Sequence, residues 1–226
     1  MLLLLAMVAW CSAVRTIGCI GDSITAGGCN VRPNETYPAQ LQQLLGPAFA
    51  VSNFGVSGMT MLTDGLCGAT HPVPHSNCSW VGTPAYPAAL AARSDVYTVL
   101  LGTNDAKQYN WAGVQNGGSA DSFALDYLEL LAQLRTLHRP LLFALTPIPV
   151  FIDGQYGMNA TFSNQFIPAQ VRRIAALAGA ELIDLSVEFG RSGGSEKSTC
   201  DGVHPTPAGN AIIAAILAKR ITANRA

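Results

Sequence analysis

The sequence predicts an α/β fold, a parallel sheet with helices on both faces. Three observations lead there. Short apolar runs alternate with helical patterns along the whole chain. Residues 95–101 are almost continuously apolar, as in a central strand covered on both sides. The strands at 14–20, 49–53 and 95–101 run into glycine-bearing turns containing Ser23, Gly58 and Asn104. In an open parallel sheet, ligands bind beyond the carboxyl ends of the strands.

Each element has its own signal. Residues 14–20 read as a buried strand ending abruptly in Gly21-Asp22-Ser23. Residues 37–45 read as a helix with Leu41, Leu44 and Leu45 on one face, stopped by Gly46-Pro47. Residues 49–53 form a short second strand. Residues 63–84, rich in Gly, Pro, His and Ser, are a long irregular segment of the kind that is often functional. A short helix over 86–92 leads to the strand at 95–101. Residues 107–120 are a second irregular segment. The helix at 121–137 carries its apolar residues at Leu125, Leu128, Leu131 and Leu134. A strand at 140–146, a third loop at 147–162, a helix at 165–178 and a short strand at 181–184 follow. Thr206 is a suitable N-cap and Pro207 suits the first position of a final helix, which extends to about Ile221.

The 226 residues suit one domain with a sizeable core. Only 12% are charged, against roughly 25% in an ordinary globular chain. Net charge is −1 and no Lys/Arg cluster exists, which excludes a nucleic-acid footprint. Residues 1–9 are nearly all apolar but too short for a bilayer span, which needs about 20 residues. With Cys11-Ser12-Ala13 as a small-residue cleavage site, residues 1–13 resemble a secretory leader, although its positive n-region is missing. An N-terminal extension of the first strand is the alternative. The expected organisation is a leader at 1–13 and one domain over 14–226. Sequons at Asn34, Asn77 and Asn159 agree with export. Cleavage after residue 13 leaves five cysteines, so at least one is unpaired within the chain. Cys19, inside a strand, suits a buried thiol. Cys67 and Cys78 share a loop and suit a short disulfide; Cys29 and Cys200 flank candidate catalytic loops and are a possible second pair.

A serine just past a strand end, flanked by glycines, is where an α/β enzyme places a nucleophile. The alternative for Ser23 is a simple helix cap. A serine hydroxyl needs a base, and the base needs a partner that fixes its tautomer. Asp201 and His204, three apart before the last helix, offer both: the carboxylate takes one imidazole nitrogen while the other faces Ser23. A turn at Asp201-Gly202 with His204 on the surface is the bland alternative. Oxyanion donors are available as the N–H groups of Ser23 and Gly58 and the Asn104 amide.

Together, Gly21-Asp22-Ser23-Ile24, Asn53–Gly58, Gly102-Thr103-Asn104-Asp105 and Asp201-Gly202-Val203-His204-Pro205 resemble the four blocks of the SGNH, or GDSL-type, hydrolase family, in its order and over residues 15–222. Ile24 stands where the family has Leu. Thr25 stands where the Gly-x-Ser-x-Gly elbow of α/β-hydrolases ends in Gly, so that elbow is absent. The resemblance implies a three-layer α/β/α, flavodoxin-like fold with a five-stranded parallel sheet. It implies Ser23 as nucleophile, His204 as base, Asp201 as its orienter, and Ser23, Gly58 and Asn104 as the oxyanion hole, with no metal or organic cofactor. Residues 36–41, Asn53-Phe54-Gly55, 101–107 and 156–159 are similar to the sialate O-acetylesterase-like, carbohydrate acetylesterase branch, which implies a small-molecule or glycan ester substrate.

Two alternatives stay open: a hydrolase of lipid acyl esters or thioesters, and a catalytically silent glycan-binding module. No stable membrane association is expected after leader cleavage. Cys67, His71, His75 and Cys78 have zinc-ligand types, but an exported chain favours the Cys67–Cys78 disulfide. Trp80, Trp111, Tyr109 and Tyr156 lie in the loops, either facing a ligand or packing the loops themselves. His138 is expected on the surface near a helix end.

Overall fold

A computed structural model describes residues 13–68, 77–111 and 120–224. Strands β1 (Arg15–Gly21), β2 (Phe49–Gly55), β3 (Val96–Leu100), β4 (Leu141–Leu145) and β5 (Glu181–Ile183) form one sheet in the order β2-β1-β3-β4-β5. Every neighbouring pair is parallel. The helices are α1 (Ser23–Ala26), α2 (Tyr37–Leu45), α3 (Ala85–Ala92), α4 (Gln108–Trp111), α5 (Ala120–His138), α6 (Ile167–Ala178), α7 (Leu185–Arg191) and α8 (Pro207–Ala223).

All five residues of β3 are buried, as its apolar run requires. Alternate strand residues serve opposite faces. Ile17, Cys19, Val96, Leu100, Phe143 and Leu145 pack with Tyr37 and Leu41 of α2, Phe189 of α7 and Ile213 and Leu217 of α8. Ile20, Tyr97, Val99, Leu142 and Ala144 pack with Ala89 of α3, Phe123 and Leu131 of α5 and Ile174 of α6. These are the three expected layers. Among the described residues, no helix is long and apolar enough to cross a membrane.

The caps explain several helix boundaries. Thr36 accepts from the Ala39 N–H at the start of α2, and Thr206 accepts from the Gly209 N–H at the start of α8, with Pro207 in its first turn. The chain enters α6 through a π-turn at Phe162–Phe166, so regular helix begins later than the apolar pattern suggests.

Two helix faces differ from expectation. On α5 the buried residues are Phe123, Ala124, Tyr127, Leu130, Leu131 and Leu134, while Leu125 is 68% exposed. A strict spacing of three falls about 60° behind the helix at each step, so Leu125 and Leu134 end on opposite sides. The stripe that packs follows spacings of three and four, and each fully buried Phe or Leu in it contributes roughly 1.5–3 kcal/mol. On α2 the same geometry buries Tyr37 and Leu41, four apart, and leaves Leu44 58% exposed. Helices α4 and α7 have no counterpart in the sequence reading. They have only four and seven residues, too short for a periodic signal.

Disulfides join Cys29 to Cys200 and Cys67 to Cys78, and among the described residues Cys19 remains as a buried thiol. Burial pushes that thiol up to about 12, outweighing the Thr98 and Tyr37 bonds that favour the thiolate, so it stays protonated and inert at neutral pH. Residues 1–12 of the expected leader, and His71 and His75, lie outside the described residues.

Candidate active site

The register sets Gly21 of β1 beside Gly55 of β2 and Leu100 of β3, so three strands end level. The short helix α1 folds back over these ends. A Cβ on Gly21 would stand 2.0 Å from Thr25 Oγ1, and one on Gly55 2.4 Å from the Ala26 nitrogen, so both glycines are needed for that approach. Asn53 pins the arrangement by donating to the Thr25 carbonyl at 2.8 Å. The cap of α1 is Asp22, whose Oδ1 accepts the Ile24 N–H at 2.9 Å. Ser23 therefore does not spend its hydroxyl on capping. That hydroxyl lies 2.8 Å from His204 Nε2.

The 199–206 loop is organised by Asp201. Its Oδ1 accepts the backbone N–H groups of Val203 at 3.0 Å and His204 at 2.7 Å. Its Oδ2 lies 2.7 Å from His204 Nδ1. An Asp-x-x-His spacing thus closes a tight turn and orients the imidazole with one carboxylate. With Nδ1–H directed at the carboxylate, the Nε2 lone pair faces Ser23, the tautomer that can take a proton from the hydroxyl. Burial alone raises the Asp201 carboxyl. The hydrogen bonds from His204, Tyr156 and Val203 outweigh it and hold the group down at about 2, so it is ionised at working pH. The Cys29–Cys200 disulfide ties this loop to the segment after α1 and sets Cys29 Sγ 3.7 Å from Asp201 Oδ2.

Gly28 completes the wall and was missed by sequence reasoning. A Cβ there would lie 2.4 Å from His204 Cδ2 and 2.9 Å from Cγ. Gly28→Ala is expected to push the ring off Ser23 and lower kcat about 100-fold, the typical cost of displacing a reacting group by about 1 Å. Melting temperature should change little. Steady-state kinetics beside a thermal melt check both.

The structure brings Ser23, His204 and Asp201 into one hydrogen-bonded chain. Gly58 and Asn104 stand beyond the ends of β2 and β3 and are tied to each other's segments. Gly58 is left-handed, at φ 83, with open space on its Cβ side. Buried Asn104 donates from Nδ2 to the Met59 carbonyl at 3.1 Å, leaving that nitrogen a second hydrogen. Asp105 clamps the same segment, accepting the N–H groups of Met61 at 3.0 Å and Leu62 at 2.8 Å. This clamp was also invisible in the sequence. Burial raises Asp105 to about 7 and Asp22 to about 6, against the hydrogen bonds that favour their charged forms, and lowers Lys107, two residues after Asp105, against the pull of both carboxylates.

The loop aromatics divide. Trp80 is 1% exposed, donates to the Phe54 carbonyl and packs in the core; Trp111 lies edge-on to Phe123. Tyr109 is half-buried. Tyr156 stands at the site, 52% exposed. His138 is exposed, as expected, and its Nε2 lies 2.8 Å from the Ser94 carbonyl. Among the described residues, one group of three metal-ligating types converges: Cys29, Asp201 and His204. Its cysteine is in a disulfide and has no thiolate to offer.

Comparison with known proteins identifies the family. The profile of the GDSL-like Lipase/Acylhydrolase family matches residues 19–212. An acetylxylan esterase from Xylanibacter ruminicola is 34% identical over 228 residues, which cover 92% of this chain and 43% of that protein. The chain thus spans less than half the length of this relative. Among solved structures, the native aryl esterase of M. smegmatis superposes with a TM-score of 0.73 at 22% identity, covering 92% of this chain and 99% of that one. A carbohydrate acetylesterase from Sinorhizobium meliloti superposes with a TM-score of 0.70 at 20% identity, with coverage of 92% and 99%. Both share the fold. The chain belongs to the GDSL-like lipase/acylhydrolase, or SGNH, family.

Proposed function

We propose that this protein is a serine esterase that removes O-acetyl groups from carbohydrates through an acyl-serine intermediate. The observation that carries the reading is the unbroken chain from Ser23 Oγ to His204 Nε2 at 2.8 Å and from Nδ1 to Asp201 Oδ2 at 2.7 Å. Ser23 Oγ attacks the ester carbonyl while Nε2 takes its proton. The carbonyl oxygen becomes an oxyanion, met by the Ser23 and Gly58 N–H groups and the Asn104 amide. The imidazolium returns the proton to the departing sugar hydroxyl. Water then attacks the acyl-serine, giving its proton to the same nitrogen, and acetate leaves as Ser23 is restored. Asp201 remains ionised throughout and holds the imidazolium.

The acetyl preference is supported by the acetylxylan esterase relative and the carbohydrate acetylesterase fold. Trp80 and Trp111 pack inward, which removes two apolar side chains from any trough for a long acyl chain. Two disulfides suit an exported enzyme with residues 1–13 as its leader.

The test is a panel of esters: p-nitrophenyl acetate, its longer acyl homologues, an O-acetylated sialic acid and acetylated xylose oligomers. Turnover is expected on acetyl esters, falling as the chain lengthens, with the acyl group recovered by mass spectrometry on Ser23. An acyl group trapped on another residue would sink the assignment. Preference for long chains would move the substrate to lipids.

A further inference from the structure

A fourth side chain is built onto the Ser23–His204–Asp201 chain. The loop after β4 docks on the 199–206 loop in two places. The Phe151 N–H donates to the Gly202 carbonyl at 2.8 Å. The Tyr156 hydroxyl donates to Asp201 Oδ2 at 2.8 Å, the same oxygen that faces His204 Nδ1. The Tyr156 ring meets the imidazole edge-on, with centroids 5.5 Å apart and planes 70° apart.

The backbone holds this contact at a cost. Tyr156 lies in the left-handed region, at φ 54 and ψ 21, between Gly154 at φ 79 and Gly157 at φ 77. That conformation is disfavoured for a residue with a side chain and persists where its surroundings over-determine it. Three backbone bonds close the turn: Gly157 N–H to Gly154 at 2.9 Å, Met158 N–H to Gln155 at 3.0 Å and Gly154 N–H to Met158 at 2.9 Å. Core packing does not explain the tyrosine, since half its surface stays open at 52%. Glycine would fit the turn more easily. What the tyrosine adds is the hydroxyl on Asp201 and the ring beside His204.

We propose that Tyr156 is a positioning residue of the hydrolase centre: it fixes Asp201 Oδ2 against His204 and so holds the imidazole toward Ser23. The proposal rests on the esterase reading above. Oδ2 divides its charge between two donors, so the tyrosine weakens the pull of Asp201 on the imidazolium while stiffening its geometry. The bond to Asp201 also keeps the Tyr156 hydroxyl protonated. The titratable and charged groups facing His204 are Asp201 on its own loop, Tyr156 from the loop after β4, and Asp22 at the head of α1, on which Lys107 also acts.

The experiment compares the full chain with Tyr156→Phe, Tyr156→Ala and Ser23→Ala. It measures kcat and KM for p-nitrophenyl acetate from about pH 4 to about pH 9, beside thermal melts. Tyr156→Phe keeps the ring and removes the donor. Its acid-side fall in kcat/KM is expected to move up by about half a pH unit, because Oδ2 then turns its full charge on the imidazolium. KM should stay within about twofold. Tyr156→Ala also exposes the ring and should lower kcat by a further 10-fold or so. A Tyr156→Phe profile superimposable on the parent, beside an inactive Ser23→Ala, overturns the proposal and leaves the esterase reading intact. A lowered melting temperature with an unmoved acid limb also overturns it, since that marks a loop strut alone. A Ser23→Ala protein as active as the parent overturns the reading itself. Should Tyr156→Ala fail to fold, the Phe variant still decides.

Discussion

Ser23→Ala is expected to lower kcat on acetyl esters by roughly 10⁵–10⁶-fold while leaving the fold as it is. The size follows from the chemistry: without the hydroxyl no acyl-enzyme forms, and His204 has no proton to take from the protein. A residual acceleration of about 10³–10⁴ over water should persist, supplied by binding and the oxyanion donors. The unchanged fold follows from the structure. Asp22, not Ser23, caps α1, and the Ser23 hydroxyl is engaged with His204. Removing it costs no cap, and Nε2 can turn to solvent water, because His204 is half-buried rather than sealed. The change in stability should stay within about 1 kcal/mol. Kinetics and a thermal melt on the same preparation check both halves. A variant that melts normally and keeps more than a tenth of the activity would assign the nucleophile elsewhere.

What the sequence revealed, and what it hid, divides along the range of the interactions. Local signals were legible. Thr206-Pro207 starts α8 as read, because an N-cap and a first-turn proline act within one turn. The Asp201-x-x-His204 spacing closes its own turn and carries its own hydrogen bonds. Cys67 and Cys78, on one loop, meet in the expected disulfide. The helix alternation gave the layers, because each parallel crossover needs one. Long-range contacts were hidden. Gly28 matters for the space it leaves beside His204, and Asp105 for two N–H groups in a segment more than 40 positions earlier. No pattern within the chain marks either. Trp80 is equally instructive: its loop position suggested a choice between ligand contact and packing, and only the bond to the Phe54 carbonyl resolves it. The face of α5 was misread for a different reason. Its leucines recur at threes, but tyrosine, phenylalanine and alanine complete the stripe that packs. In the 151–158 loop, the left-handed turn that aims Tyr156 depends on glycines at 154 and 157, residues that are common in any loop.

Asp201→Asn is expected to lower kcat by about 10⁴-fold, although the two side chains have nearly the same shape. The carboxylate faces four donors: the N–H groups of Val203 and His204 on Oδ1, and His204 Nδ1–H and the Tyr156 hydroxyl on Oδ2. An amide offers one oxygen and one NH₂. If the oxygen keeps the two backbone N–H groups, the NH₂ points at His204 and Tyr156. The imidazole must then accept at Nδ1 and carry its proton on Nε2, facing Ser23 with a donor where a base is needed. If the amide flips, the NH₂ meets two backbone N–H groups, and the turn itself loses its acceptor. Leaving a buried donor unpaired costs about 1–3 kcal/mol, so the first arrangement should prevail with the fold retained. The pH dependence of stability gives an independent reading. Asp201 is held at about 2 in the folded protein, against about 3.9 unfolded. A depressed carboxyl contributes stability that is fully present above the unfolded value and is lost as pH falls through the folded one. The parent should therefore lose melting temperature between about pH 4 and pH 2, with Asp201 as one contributor, and the Asn variant should show a shallower slope in that window. Melts across this range, set beside kcat at neutral pH, separate the two roles of one carboxylate. An unchanged slope with a 10⁴-fold loss of kcat would confine Asp201 to the chemistry, whereas a shallower slope with little loss of kcat would confine it to the turn.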